Sequence, residues 1–341
     1  MTEAVRTLLH PFAQGLLPPP GPGRGAFLRA EADAALGAEW RDRLLCEQSL
    51  KPAHDALAAR GFHAVRRLEG GSFDLVLCLL TKHKAESLAN VARAWALLAP
   101  GGLLVCAGTK DTGAASVERQ LRDALGALGG GLSKNHGRVF WARRDGAATP
   151  ADFTAWLAAG ALQAVPETGA LARPGIYAWS KVDEGSRLLA ESVPEGLAGR
   201  VADLGAGWGY LSLEALRRRP AIARIDLYEA EGLAFEAAEA NLARLAPAAP
   251  AACHWHDVTA GLPAGAFDWV LTNPPFHSGK ATDIDLGRRF VAAAAEALAP
   301  GGTLFLVANR HLPYEAAVDA HLKRRRLVAE TAAFKVIEAR R

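Results

Sequence analysis

The sequence predicts an α/β protein with two tandem domains of similar design. Its 341 residues exceed the usual size of one small domain, and half of them are apolar, so two buried cores are expected. The same order of elements also occurs twice: a strand that begins Phe-Asp, a helix, a Pro-Gly-Gly turn and an apolar strand, over 73–108 and again over 267–308. This order is the βαβ unit of a parallel sheet.

A stretch without strand character separates the two copies. Residues 143–170 carry Pro150 and Pro166 and lack the apolar runs of a buried strand. The repeat is much longer than that of a solenoid, which indicates two similar domains and not an array. We therefore predict one domain over 1–150 and a second over 165–341.

Composition excludes several classes of protein. No apolar run approaches the ~18 to 20 residues of a membrane helix, and early prolines and charges argue against an export signal. The four cysteines are scattered singly, which predicts a reducing cytoplasm and neither a zinc site nor a disulfide framework. The net charge is only +3, yet residues 1–150 carry 19 Lys and Arg against 14 Asp and Glu, a balance of +5.

A glycine turn after a strand predicts a cofactor site in the second copy. The segment "RVADLGAGWGYLSLEAL" at 200–216 reads as strand, turn and helix, and Gly205, Gly207 and Gly209 allow the backbone to approach a ligand closely. The third glycine comes one residue too early for a dinucleotide motif. Asp203, just before the turn, disfavours a pyrophosphate and suits a cationic amino group, such as that of S-adenosylmethionine.

Two more acidic residues follow predicted strands. Glu229 ends the next strand, where a carboxylate can accept both ribose hydroxyls of a nucleoside, and Glu231 is the alternative. Asp257 ends the third strand region and is placed to accept from an adenine amino group. His254 and His256 lack a third ligand at a suitable spacing, so we predict packing or surface roles and no metal.

The segment "FDWVLTNPPFHSGK" at 267–280 predicts the reaction site. A buried strand ends in Asn273, and Pro274 and Pro275 remove two backbone donors, so that acceptors remain. Such a site suits a planar substrate with an NH2 group: Asn273 Oδ1 and the Pro274 carbonyl accept its two hydrogens, and Phe276 stacks on the ring. This is catalysis by positioning and electrostatic complementarity, without a metal or an obligatory strong base.

With these residues, three further segments give the chain a family resemblance: "GIYAWSKVDEGSRLL" at 175–189, "VANRHLPY" at 307–314 and "FKVIEAR" at 334–340. The chain resembles the bacterial 16S ribosomal RNA guanine-N2 methyltransferases of the RsmC type, strongly over 170–340 and more loosely over 20–145. The resemblance implies two tandem Rossmann-like class I methyltransferase domains, the N-terminal one degenerate. It also implies a cytoplasmic, S-adenosylmethionine-dependent enzyme that methylates a guanine N2.

The resemblance assigns roles to individual residues. The guanine would be held by Asn273, Pro274, Pro275 and Phe276. The cofactor would be held by Asp203, Gly205, Ala206, Gly207, Gly209, Glu229, Asp257, Asp183 and Gly185. Lys181 belongs to the same covering segment as Asp183, whereas Tyr177 and Trp179 stand where family members more often carry Phe and Arg.

The first copy lacks the reaction motif. It has "LCLLTKHK" at 77–84 where the second copy has "LTNPPF", and its glycine cluster at 20–25 precedes an apolar segment instead of following it. We predict that this domain binds no cofactor and serves stability, substrate positioning or both. Candidates for phosphate contacts are Lys82, Lys84, Lys110, Lys134, Arg143 and Arg144. The basic runs at 216–220 and 322–327 are predicted as helix ends or loops.

Three other functions remain open at this point. A large-subunit ribosomal RNA guanine-N2 methyltransferase (RlmG type) shares much of the pattern. A protein-glutamine methyltransferase would also use the Asn-Pro-Pro-aromatic loop, since a side-chain amide is planar and has an NH2 group. A ribosome assembly or RNA-binding factor would keep the cofactor without turnover. The expected partner is ribosomal RNA, within a small subunit or an assembly intermediate, with a monomeric enzyme and no membrane.

Overall fold

The computed structural model describes most of the chain, with the backbone alone at 277–278 and 281–282. The described residues are 3–146, 149–246, 248, 250–275, 277–278, 281–282 and 284–341. The chain divides into two compact units, Met1–Ala161 and Leu162–Arg341. Among the described residues, no helix has the length and apolar character needed to cross a membrane.

The first unit is built on a mostly parallel sheet. Its strands are β1 (Gly25–Leu28), β2 (Leu44–Glu47), β3 (His63–Val65), β4 (Phe73–Leu79), β5 (Leu98–Thr109), β6 (Gly130–Lys134) and β7 (Gly137–Arg143). Its α-helices are α1 (Glu3–Ala13), α2 (Lys51–Ala59), α3 (Lys84–Ala96), α4 (Ala114–Leu125) and α5 (Ala151–Ala159). The strand order is β3-β2-β1-β4-β5-β7-β6, with β7 antiparallel to β5 and β6.

The second unit repeats this design and adds two small hairpins. Its strands are β8 (Gln163–Ala164), β9 (Leu171–Ala172), β10 (Gly199–Leu204), β11 (Ile222–Glu229), β12 (Ala251–Trp255), β13 (Phe267–Thr272), β14 (His277–Ser278), β15 (Ala281–Thr282), β16 (Leu298–Asn309), β17 (Lys323–Glu330) and β18 (Phe334–Arg340). Its α-helices are α6 (Glu184–Ser192), α7 (Tyr210–Arg218), α8 (Gly232–Leu245), α9 (Ile284–Ala297) and α10 (Tyr314–His321). The main sheet has the order β12-β11-β10-β13-β16-β18-β17.

The two main sheets have the same topology. Counted within its own unit, each follows the order 3-2-1-4-5-7-6, with strand 7 antiparallel to strand 5. Parallel neighbours need crossover connections, which the intervening helices supply. The predicted fold class, two tandem Rossmann-like α/β domains of the class I methyltransferase type, is confirmed.

Each sheet is buried on both faces. In β13, Val270 belongs to the cluster on one face and Leu271 to the cluster on the other, and Leu306 and Phe305 of β16 divide in the same way. This explains why the strands read as continuous apolar runs instead of alternating, since helices cover both sides of such a sheet.

One of the two basic runs differs from the sequence prediction. Arg217 and Arg218 lie in the last turn of α7 and pair with Glu214, as expected for a helix end. The prediction for 322–327 was wrong, because 323–327 begin β17, the exposed strand at one border of the sheet. Charged side chains at such a border hinder pairing with a strand of another molecule.

Candidate functional site

The predicted site residues of the second unit lie at or just after the carboxyl ends of four neighbouring parallel strands. β12, β11, β10 and β13 lie side by side with the same direction. Their carboxyl ends therefore meet at one edge of the sheet, where open α/β sheets bind ligands. This edge brings Asp257, Glu229, Asp203 and Asn273 to one side of the unit.

The glycine turn has the backbone that its sequence predicted. Gly205, Gly207 and Gly209 have φ angles of 72°, 58° and 92°, in the left-handed region that favours glycine. A Cβ atom at Gly205 would lie 3.2 Å from Phe290 Cε1, whereas at Gly207 it would meet no atom within 4 Å. The middle of the turn thus borders open space, and the first glycine is packed against α9.

Asp203 carries a buried acceptor atom without a partner. The residue is fully buried, and Oδ2 accepts a hydrogen bond from Ser212 Oγ at 2.7 Å. Oδ1 is also buried and has no hydrogen-bond partner among the described residues. Burial chiefly, together with the nearby Glu229 carboxylate, raises the pKa of Asp203 to about 7, although the hydrogen bond from Ser212 acts in the opposite direction. A buried acceptor without a partner costs about 1 to 3 kcal/mol, so the structure favours a ligand that donates to this atom.

Glu229 and Glu231 have different contacts. Glu229 Oε2 accepts from the Gly207 backbone N–H at 2.8 Å, and Oε1 accepts from the Glu231 N–H at 2.7 Å. Burial raises the pKa of Glu229. Glu231 instead caps α8 by accepting from the Leu233 N–H. Because each carboxylate oxygen has a second lone pair, Glu229 can still accept hydrogen bonds from hydroxyl groups beside the glycine turn.

Asn273 is held by a segment 90 residues earlier in the chain. Its Nδ2 donates to Asp183 Oδ2 and to Ser186 Oγ, both at 2.9 Å. A carboxylate is only an acceptor, so the amide NH2 must face Asp183. Both amide hydrogens are thereby engaged, and Oδ1 is left as the acceptor of the side chain.

Asp183 connects three elements around Asn273. It is the N-cap of α6, where Oδ2 also accepts from the Ser186 backbone N–H at 2.7 Å. Its Oδ1 accepts from the Tyr177 hydroxyl at 2.7 Å, and the pKa of Tyr177 is raised by burial and by this hydrogen bond. Sequence reasoning placed Asp183 on the cofactor, whereas the structure places it on the side chain of Asn273.

A cavity of about 50 Å³ joins these groups. Tyr177, Asp183, Gly205, Gly207 and Asn273 line it, together with Ala206 and Trp208. The Trp208 indole N–H donates to the Ala178 carbonyl at 3.2 Å, which fastens the segment before α6 to the glycine turn. A larger groove of about 490 Å³ beside α7 and α8 contains none of the predicted site residues.

Gly185 lies beside the start of β18. A Cβ atom at this position would lie 3.0 Å from the Phe334 ring, which is closer than most real Cβ contacts. The glycine therefore allows α6 to approach β18, and with it Asp183 to approach Asn273. Lys181, from the same segment, is exposed.

Asp257, Pro274 and Pro275 do not line this cavity. Asp257 follows β12, and its Oδ1 accepts from the backbone and hydroxyl of Thr259. Pro274 is buried and Pro275 is exposed. Phe276 is outside the described residues.

The two histidines have partners within the unit. His254 contacts Asp226 at 2.7 Å, and His256 contacts the Gly261 carbonyl at 2.7 Å. In the described ranges, no group of three or more His, Cys, Asp or Glu residues is arranged to hold a metal ion.

The first unit lacks the key groups at the matching strand positions. The Leu-Ala-Pro-Gly-Gly segments at 98–102 and 298–302, together with strand register, align the two sheets. Phe27 corresponds to Asp203, Gln48 to Glu229 and Leu79 to Asn273. All three residues of the first unit are buried. A phenylalanine and a leucine offer no hydrogen bond to a ligand at this edge.

Arg29 occupies the position of the first glycine of the turn. Its φ angle is 56°, close to that of Gly205, so the left-handed turn persists without glycine. Its guanidinium donates to the Ser49 hydroxyl and lies 3.7 Å from Glu86. The side chain thus spans from the turn to the residues that follow β2, next to the counterpart of Glu229.

Three contributing residues were missed by sequence reasoning. Ser186 binds Asn273, Ser212 binds Asp203, and Trp208 fastens the covering segment. Ser186 had a usable signal, because it stands three residues after Asp183 at a predicted helix start, as in a capped helix. Ser212 and Trp208 had no signal of this kind, since their partners depend on the packing of distant segments.

The comparisons with known proteins identify the family of the chain. The family model described as "Methyltransferase small domain" matches residues 167–338. Ribosomal RNA small subunit methyltransferase C of Shewanella halifaxensis is 30% identical over 268 residues, which are 78% of this chain and 76% of that protein. The chain belongs to the ribosomal RNA small subunit methyltransferase C family. The family predicted from sequence, and with it the prediction of a methyltransferase, is confirmed.

Two further relatives, one acting on small-subunit RNA and one named for the large subunit, were compared with the chain. A solved structure of T. thermophilus 16S rRNA N2 G1207 methyltransferase (RsmC), in complex with AdoMet and guanosine, has a TM-score of 0.79 and 28% identity. It covers 99% of this chain and 93% of that chain. Ribosomal RNA large subunit methyltransferase G of Alcanivorax borkumensis is 37% identical, but over only 48% of this chain and 42% of that protein. The small-subunit family accounts for more of the chain.

Proposed function

We propose that this chain transfers a methyl group from S-adenosylmethionine to N2 of a guanine in 16S ribosomal RNA. The observation that carries the proposal is the fixed amide of Asn273, whose NH2 is bound by Asp183 and Ser186 and whose oxygen remains to accept from an amino group. Membership of the family and the AdoMet and guanosine named for the T. thermophilus structure support the same chemistry.

Residues around the glycine turn fit the cofactor. The unpartnered Oδ1 of Asp203 suits the ammonium group of its methionine part, and the open space at Gly207 leaves room for backbone approach. Glu229 would accept hydrogen bonds from the ribose hydroxyls, and Asp257 would accept one from the adenine amino group. Ala206 and Gly209 complete the turn, and Gly185 lets the covering helix approach. When bound, the cofactor supplies an electrophilic methyl group on its sulfonium.

The residues at the end of β13 would position the guanine. Asn273 Oδ1 and the Pro274 carbonyl accept the two hydrogens of the exocyclic amino group, with Pro275 shaping the turn and Phe276 stacking on the ring. Holding both hydrogens reduces the conjugation of the nitrogen with the ring and directs its lone pair. N2 would gain the methyl group as the bond between that group and the cofactor sulfur breaks, which leaves S-adenosylhomocysteine, and N2 would release one proton to solvent. Positioning of this kind lowers the barrier to methyl transfer substantially, without a strong base.

The domains would divide the work. We assign the catalytic role to 165–341, and to 1–150 a role in stability or RNA positioning without cofactor, because Phe27 and Leu79 replace the ligand groups. A guanine in folded RNA must be unpaired or extruded before its N2 can enter the site. We therefore propose a small subunit or assembly intermediate as substrate, and a monomeric enzyme in the cytoplasm, where ribosomal RNA is found.

The other functions considered from sequence are less well supported. The large-subunit relative matches under half of the chain. A protein-glutamine methyltransferase leaves the first unit, with its Phe27 and Leu79 in place of ligand groups, unexplained. An assembly factor without turnover leaves the array around Asn273 unexplained. All three make distinct predictions about where a transferred methyl group is found.

Labelled methyl transfer tests the proposal. Small and large ribosomal subunits from a strain without this gene are incubated with labelled S-adenosylmethionine, and the nucleosides are then analysed. We expect N2-methylguanosine in 16S RNA alone. Label in large-subunit RNA or in protein, or no label, would move the function to the three alternatives respectively.

The variant Asn273→Ala tests the role of the Asn273 side chain in methyl transfer. Removal of one positioned acceptor should lower kcat by about 10²-fold, within the range for lost transition-state contacts, and leave cofactor affinity nearly unchanged. Gln120→Ala, which removes an amide from α4 of the first unit, is the matched control. Equal loss of cofactor affinity and turnover in Asn273→Ala would contradict the assigned role.

A further inference from the structure

The first unit contains a groove lined by basic and hydrogen-bond donating side chains. It has a volume of about 470 Å³ and lies between the connection from β5 to α4 and the hairpin of β6 and β7. Its charged and amide side chains are Lys110, Lys134, Asn135, His136 and Arg138. Among the described residues that line it there is no Asp or Glu. The chemistry of the groove therefore favours an anion.

Two of the cations in the groove are available for a ligand. Lys110 and Lys134 are exposed, and within the described chain neither ammonium group has a hydrogen bond or an ion pair. Arg138 is already paired with Glu118. Asp111, next to Lys110, accepts from the Thr109 hydroxyl and lies outside the lining. The groove thus presents two unpaired positive charges.

Two other basic residues of the first unit differ from these lysines because their side chains already donate hydrogen bonds. Arg143 donates to the Gly101 carbonyl, and Arg144 donates to the carbonyls of Trp95 and Leu98. These two arginines stabilise the backbone around the end of α3 and the start of β5. They are therefore poor candidates for phosphate contacts, although the sequence grouped them with Lys110 and Lys134.

The groove lies at the edge of the sheet that corresponds to the reaction edge of the second unit. β5 ends at Thr109, which pairs with Gly137 of β7, so Lys110 and the turn before β7 share the carboxyl edge of the parallel strands. In this unit Phe27 and Leu79 stand at the positions of Asp203 and Asn273, so the matching strand ends carry no polar side chain there. What the edge retains is a cavity with positive charge.

We propose that this groove binds phosphate groups of the substrate RNA backbone and helps to position the RNA. Lysine contacts to phosphates release counterions and set register without reading sequence. The identity of the RNA rests on the proposed function, whereas the groove itself is independent of the methyl-transfer site. The occupant is an RNA phosphodiester, and a free anion is an outcome that the test separates.

The salt dependence of RNA binding by the full chain tests the proposal. Lys110→Ala/Lys134→Ala removes both unpaired charges, and small-subunit RNA affinity is measured from low to physiological salt. If each lysine meets a phosphate of unpaired RNA, the slope of log Kobs against log salt should fall by about 0.7 per contact, or about 1.4 in the double variant. Lys110→Arg/Lys134→Arg should restore most of the slope.

The matched control is Arg41→Ala/Arg119→Ala. Both arginines are exposed cations of the first unit that do not line the groove, so the change in net charge is the same. We expect a slope close to wild type. An equal loss in this control would show a general charge effect and overturn the proposal, as would an unchanged slope in the lysine variant. Competition by inorganic phosphate alone, with an unchanged RNA slope, would also overturn it.

Two readouts separate this proposal from the proposed function. The lysine variant should keep wild-type cofactor affinity and wild-type methyl transfer to a short guanine oligonucleotide, while KM for the subunit rises. Failure of the proposed function would appear in the wild type itself, as absence of N2-methylguanosine. The RNA-binding comparison would still decide whether the groove meets phosphates.

Discussion

At the scale of single residues, the site depends on a side chain whose orientation is set from a distance. Asn273 Nδ2 is bound by Asp183 and Ser186 from a segment about 90 residues earlier, and Tyr177 binds the second oxygen of Asp183. A phenylalanine at position 177 would lack that hydroxyl, so Tyr177 adds one hydrogen bond to the array.

Asp183→Ala tests whether this array positions Asn273. The change removes the acceptor of three donors, namely Asn273 Nδ2, the Tyr177 hydroxyl and the Ser186 backbone N–H. We therefore expect kcat to fall about 10²-fold, for a cost of about 3 kcal/mol. Tyr177→Phe should lower kcat only about fivefold, since one hydrogen bond contributes about 1 kcal/mol. Steady-state kinetics and cofactor titration measure both. A loss confined to cofactor affinity would assign Asp183 to the cofactor, as the resemblance implied.

Asp203 predicts a pH dependence of cofactor binding. Its pKa of about 7 means that the carboxyl is partly protonated near neutrality, while the cofactor ammonium favours the ionised form. Affinity should therefore rise with pH through about 7 and be about tenfold weaker at pH 6 than at pH 8. Calorimetric titration across this range measures it. Asp203→Asn should bind weakly at every pH, and the same pH slope in that variant would exclude Asp203 as the titrating group.

The stability of the cofactor-free protein should show the opposite sign. A pKa raised from 3.8 to about 7 contributes stability that is present below pH 3.8 and lost as pH rises through about 7. The free energy of unfolding should therefore fall from pH 5 to pH 8 in the wild type, and less so in Asp203→Asn. Denaturant unfolding at several pH values measures the difference.

At the scale of elements, the glycine turn joins β10 to α7 under two constraints. Gly205 has a φ angle of 72° and packs near Phe290, so its position limits both backbone conformation and side-chain volume. The first unit keeps a similar turn with Arg29 at φ 56°, which indicates that the connection itself tolerates a side chain when space is available. Packing against α9 therefore adds to the requirement in the second unit.

Gly205→Ala should destabilise the second unit and weaken cofactor binding. The left-handed conformation costs about 1 to 2 kcal/mol for a residue with a Cβ, and the contact with Phe290 adds to this. Gly196→Ala is the control, because Gly196 is exposed and a Cβ there meets no atom within 4 Å. Thermal unfolding and cofactor titration compare the two variants. Equal effects would show that the turn has no special requirement.

At the scale of the whole molecule, the chain carries two sheets of one topology and one set of ligand groups. Asp203, Glu229 and Asn273 have the counterparts Phe27, Gln48 and Leu79, and the guanidinium of Arg29 contacts Ser49 and Glu86 beside them. The first unit therefore differs from the second both in the side chains at the strand ends and in the side chain next to the turn.

Cofactor stoichiometry checks this difference between the units. Calorimetric titration of the full chain should give one cofactor molecule per chain. Asp203→Ala should weaken binding strongly, whereas Arg29→Ala should leave the stoichiometry at one, since Phe27 and Leu79 still offer no ligand groups. Two molecules per wild-type chain, or residual tight binding in Asp203→Ala, would contradict a single site.

The sequence by itself determined the fold class and the family, and it predicted the main site residues. It could do so because the glycine turn, the strand ends and the Asn-Pro-Pro-Phe segment are local patterns with local physical causes. It also indicated that the first copy lacks the reaction motif, since "LCLLTKHK" at 77–84 contains no counterpart of Asn273.

Only the tertiary structure decided how those residues are held. It placed Asp183 and Ser186 on Asn273, left Oδ1 of Asp203 without a partner, and distinguished Glu229 at the turn from Glu231 at a helix cap. It also distinguished the unpaired Lys110 from the arginines that bind backbone carbonyls. These contacts join segments far apart in the chain, so their partners follow from packing and register, which no local sequence pattern encodes.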